Sequence, residues 1–90
     1  MTMLKELKDR ILNPHITNVA RAALLRQYAC MVCTQLSATF GGAVVARTLL
    51  AIYERSALEL EDDMRGYPPE YGVLYVERIS ESDTLFLAFE

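Results

Sequence analysis

Histidine occurs once in this chain, at His15, and cysteine only twice, at Cys30 and Cys33. Two cysteines cannot build a disulfide framework. A four-ligand zinc site of the usual Cys/His kind is also beyond a single chain, since carboxylates are the only other ligands on offer. The Cys30-Met31-Val32-Cys33 run has the CxxC spacing. A thioredoxin-type pair, however, sits where a strand meets a helix N-terminus, whose positive end stabilises the thiolate. Here the pair falls deep in an expected helix with no strand before it. Both cysteines are read as reduced, small, buried hydrophobes one turn apart.

Nothing in the spacing around His15 supports a nucleophile–base pair, and a first-turn histidine is read as solvated. The acids Glu59, Glu61, Asp62 and Asp63 lack the Asp/Asn/Gly spacing of a calcium loop. These absences point to a non-enzymatic protein with no cofactor and no metal.

Charge is missing from Gln27 to Ala46, twenty residues interrupted only by Gly41-Gly42. That length could span a bilayer. Against a span stand Gln27, Thr34, Gln35, Ser37, Thr39 and the two glycines, with arginine at each end. The better reading is the tip of a helical hairpin buried by more than its own chain, or an oligomer interface. A secretion signal would need an apolar run near the amino terminus, where positions 5–10 instead hold five charges. The expectation is a cytoplasmic protein with no membrane segment.

What is present is a surplus of apolar residues, 52% against roughly 45–50% in ordinary soluble domains. Ninety residues make a single domain with a high surface-to-volume ratio, so part of that surplus should lie at the surface and favour a homo-oligomer, most simply a homodimer. Charge is polarised along the chain: residues 1–47 hold six basic and two acidic side chains, net +4, and residues 48–90 hold three basic and ten acidic, net −7. Either neighbouring helices neutralise one another, or the two halves complement each other between copies or face a basic partner.

Leu4, Leu7 and Ile11 repeat at helical spacing and predict an amphipathic helix over about 3–12. Asn13-Pro14 carries a favoured N-cap and first-turn residue, which predicts a second helix over 14–39. Its seam is Ala22, Leu25, Ala29, Val32 and Leu36, with Asn18, Arg21 and Arg26 on polar positions. Gly41-Gly42 should reverse the chain. A third helix over 43–65 then pairs with the second as an antiparallel hairpin.

That third helix has two adjacent seams, Val45, Leu49, Ile52 and Ser56 beside Ala46, Leu50, Tyr53, Ala57, Leu60 and Met64. After it, GYPPEYG reads as a connector over 66–72. VLYVERI and TLFLAFE, rich in β-branched and aromatic residues and flanking SESD, read as a two-stranded β-hairpin over 73–89. Neither strand alternates cleanly. The expected fold class is therefore α+β: a short N-terminal helix, a long antiparallel helical hairpin and a C-terminal β-hairpin, one domain over 1–90.

Function is expected from two surface features. Glu59, Glu61, Asp62 and Asp63 crowd a helix C-terminus, where acids oppose the macrodipole. Tyr67, Tyr71 and Tyr75 cluster in and just after the Pro-rich connector, and tyrosine is enriched at interfaces. Together they suggest a protein-binding module, homo-oligomeric, acting as an inhibitor or accessory factor of the kind phage and mobile elements encode. The alternative is a winged-helix-like DNA-binding regulator reading DNA with helix 43–65. Its few exposed basic residues and the acidic second half weigh against nucleic acid.

Overall fold

The structure, a computed structural model, describes residues 2–83. Among them are four α-helices and no strand: α1 Thr2–Ile11, α2 Asn18–Ser37, α3 Gly42–Leu58 and α4 Pro69–Asp83, with a π-helical turn Glu59–Asp63 continuing α3. None of these helices is long and apolar enough to cross a membrane.

Leu4, Leu7 and Ile11 bury one face of α1 as their spacing requires. Asn13 does not cap a helix. Its side-chain oxygen accepts the N–H of His15 at 2.9 Å, closing an Asx turn. The helix start therefore moves to Asn18, where Thr17 Oγ1 accepts the N–H of Ala20 at 3.0 Å. His15 is left exposed in the turn.

Between α2 and α3 the chain reverses at Gly41, whose φ of 75° is open to glycine and strained for other residues. Successive contacts of the pair run in opposite senses. Cys33 Sγ donates to the Ala46 carbonyl at 3.3 Å, the Tyr28 and Tyr53 rings meet edge-to-face at 5.9 Å, and Arg26 reaches Glu61. This is the antiparallel hairpin expected from two long helices and a short link. Of the two α3 seams, the one through Ala46, Tyr53, Ala57 and Leu60 is buried, while Val45 on the other is exposed. Leu25, Tyr28, Ala29 and Val32 of α2 close the core with Leu60 and, from α4, Val76.

The C-terminal β-hairpin is overturned as far as the chain is described. Residues 69–83 are helical, so VLYVERI and SESD are neither strand nor turn. TLFLAFE, residues 84–90, lies outside the described residues. The fold class is accordingly all-α among the described residues and not α+β. The physical reason lies in spacing: Pro69, Gly72, Val73, Val76, Ile79 and Ser80, with Tyr75 beside them, are the covered positions of α4, and Glu70, Tyr71, Leu74, Glu77 and Arg78 are outside. Three- and four-residue steps bury one helical face, which outweighs the β propensity of individual side chains. Pro69 does not merely end what precedes it. It occupies the first helical position, where its missing N–H is not needed, and Glu70 follows in the first turn.

Candidate functional site

Two polar residues expected on the solvent side of α2 are buried, Arg21 fully and Asn18 at 2% exposure. All five N–H groups of Arg21 are used. Nη1 donates to the carbonyls of Ile11 and, at 2.9 Å, Asn13. Nη2 donates to Ile16 at 3.1 Å and Pro69 at 2.9 Å, and Nε to Asn18 Oδ1 at 3.4 Å. Asn18 Nδ2 in turn donates to the carbonyls of Met64 (3.0 Å) and Tyr67 (3.3 Å). Carbonyls at the end of α1 and in the bent connectors have no helical partner of their own, and this knot supplies them. Burial pulls the Arg21 pKa down. The knot holds the connector and the start of α4 in place, and with them the residues around Tyr67 and Tyr71.

The four acids of the expected surface do not share one environment. Glu61 is bound by Arg26 through two bonds, Nη1 to Oε2 at 2.9 Å and Nη2 to Oε1 at 3.2 Å. That bidentate pair holds the Glu61 carboxyl below its ordinary pKa and raises Arg26. Glu59 accepts the hydroxyl of Tyr75. Burial first, and then this bond, push the Tyr75 phenol above the ordinary tyrosine range. Asp62 and Asp63 are exposed. Glu59, Glu61 and Tyr75 thus each have a partner within the chain and are half-buried, whereas Asp62 and Asp63 are free of such bonds among the described residues.

Tyr67 and Tyr71 stay outside, 55% and 50% exposed, with rings edge-to-face at 6.0 Å. Leu74, 55% exposed, was missed as a candidate because a β reading separated it from Tyr71. On a helix it stands one turn further on, so 67, 71 and 74 make a continuous apolar ridge. A second exposed apolar group, Phe40, Val44 and Val45, caps the hairpin tip.

A groove of about 740 Å³ separates the outer side of α3 from α4. Ala51, Ile52 and Ile79 form its apolar floor, Arg47 and Arg55 stand along it, and Tyr75 with Glu59 closes one end. The cysteines are not both buried as expected. Cys30 is exposed and Cys33 half-buried, and burial pushes the Cys33 thiol up. Among the described residues no group of three or more His, Cys, Asp or Glu side chains converges as metal ligands would. The winged-helix alternative needs a strand pair after α3, and α4 occupies the first part of that segment. No protein family matches the chain, and no characterised protein or solved structure is detectably similar to it.

Proposed function

We propose that this chain is a non-catalytic, cytoplasmic protein-binding module that self-associates and acts, as an inhibitor or accessory factor does, by occupying a surface of another protein. Its contact surface is Asp62 and Asp63 with the ridge Tyr67, Tyr71 and Leu74. The observation that supports this reading is the ridge itself. Three large side chains, each at least half exposed, are held by a fully bonded interior knot beneath them. Rings that lose little conformational freedom on binding, with exposed carboxylates a few residues before them in the chain, suit a protein partner with apolar and basic groups.

The test is capture by the purified wild type and by a Tyr67→Ala, Tyr71→Ala double variant whose helical circular dichroism is unchanged. Loss of the captured protein in the variant is the expected result. Equal capture by both would remove this surface from consideration.

A further inference from the structure

The groove between α3 and α4 has chemistry that the ridge lacks. Arg47 and Arg55 are exposed on it, and neither has a hydrogen bond or ion pair among the described residues. Between and beside them the lining is mixed, with Ala51, Ile52 and Ile79 supplying apolar surface and Thr48 and Ser56 supplying hydroxyls. An occupant must therefore offer carboxylates and apolar groups together. The volume, about 740 Å³, lies within the roughly 300–1,000 Å³ of ordinary binding clefts.

The same molecule presents that combination elsewhere, in the exposed Asp62 and Asp63 and, a few residues further along the chain, the exposed and mutually packed Tyr67 and Tyr71. Within one copy the two cannot meet fully. Arg47 and Asp62 are fifteen residues apart along continuous helix, about 22 Å at 1.5 Å per residue. Between copies they can. We infer that the groove of one copy receives the Asp62/Asp63/Tyr67/Tyr71 surface of a second, so that Arg47 and Arg55 pair with its carboxylates and the tyrosine rings cover the apolar floor. This rests on the binding surface proposed above and names a second copy as its partner.

Formed reciprocally about a two-fold axis, the contact closes as a dimer; formed once per pair it is heterologous, closing into a ring or extending as the rotation dictates. Glu59 at the closed end of the groove and the apolar floor disfavour a nucleic-acid backbone, which would ask for basic groups alone.

Sedimentation or light scattering over a concentration series, at low and raised salt, tests it. The wild type should associate and salt should weaken the association. Arg47→Glu with Arg55→Glu, or Asp62→Lys with Asp63→Lys, should each weaken it by about tenfold or more with helical content unchanged. Arg47→Gln with Arg55→Gln, read the same way, replaces a reversal that unfolds. Mixing the two reversed variants should restore association, because the intact surface of one meets the intact groove of the other.

A wild type that stays monomeric at low salt, reversed variants that associate like the wild type, or a mixture that stays monomeric would each overturn the inference. So would a DNA duplex shifted by the wild type and released by Arg47→Gln with Arg55→Gln. A monomeric wild type whose tyrosine double variant still loses a captured protein overturns self-recognition alone and leaves the protein-binding reading intact.

Discussion

Arg21 and Pro69 are 48 residues apart, yet Nη2 of the arginine donates to the proline carbonyl at 2.9 Å. That bond ties the start of α2 to the first residue of α4 and completes a guanidinium that serves four backbone carbonyls and one side-chain oxygen. Replacing Arg21 by methionine keeps much of the volume but leaves the Ile11 carbonyl and Asn18 Oδ1 buried without this donor, and the carbonyls of Asn13, Ile16 and Pro69 partly buried without it. Unpaired buried groups cost about 1–3 kcal/mol each, so Arg21→Met should lose about 3 kcal/mol or more of an expected total of ~5–15. Urea unfolding followed by circular dichroism measures this, and a loss below ~1 kcal/mol would contradict the knot.

Gly72 lies against the same knot. A Cβ built there would stand 1.9 Å from Asn18 Oδ1 and 2.6 Å from Arg21 Nε. Gly72→Ala should therefore destabilise by about 1–3 kcal/mol, in spite of alanine's ~1 kcal/mol advantage inside a helix. Gly66 has no heavy atom within 4 Å of its Cβ position and no positive φ. Gly66→Ala should be neutral or slightly stabilising, which a shared denaturation protocol will compare directly.

The apolar seams were legible in the sequence, and the Arg21 knot was not. The seams through Leu4, Leu7, Ile11 and through Leu25, Ala29, Val32 could be read because apolar side chains at 3.6-residue spacing have one place to go. Arg21 could not be read as buried from polarity alone, since its partners are carbonyls of connectors whose path no periodicity records. One signal existed: Asn18, Arg21, Leu25, Tyr28 and Val32 follow a 3,4,3,4 course, and all five are buried. Residues 69–83 misled because Val73, Tyr75, Val76 and Ile79 are β-formers individually. The missing period-2 alternation, together with Pro69-Glu70 as a helix start, carried the helical answer. The exposed ridge could be located only in part, because Tyr75 faces inward while Tyr67 and Tyr71 face out, a division that depends on α4 being a helix.

Alkaline pH should unfold the protein through its inner tyrosines. Burial raises the Tyr28 phenol to about 12, above the ~10 of an unfolded tyrosine. The folded state holds that proton more tightly, so the contribution to stability is complete below about pH 10 and is lost as pH rises toward 12. Tyr75 is pushed the same way. Urea midpoints should fall from about pH 10 upward, and the fall should be smaller in Tyr28→Phe. An identical fall in both proteins would refute the assignment to Tyr28.

Thiol labelling should distinguish the two cysteines. Cys30 is exposed, whereas Cys33 is half-buried and donates to the Ala46 carbonyl. Its thiol is raised mainly by desolvation, which lowers the reactive thiolate fraction. Peptide mapping after brief exposure to a maleimide should find the label on Cys30 first. Equal rates would mean that the α2–α3 contact at Ala46 opens readily.

The claim that Tyr67 and Tyr71 form a contact surface is tested most directly by placing a photo-crosslinking benzoylphenylalanine at position 71, with position 28 as the buried control, and illuminating the protein in its host extract and in purified form. The account predicts a higher-mass adduct from position 71, in at least one of the two preparations, and none from position 28. No intermolecular adduct from position 71 in either, with the protein folded, would contradict it.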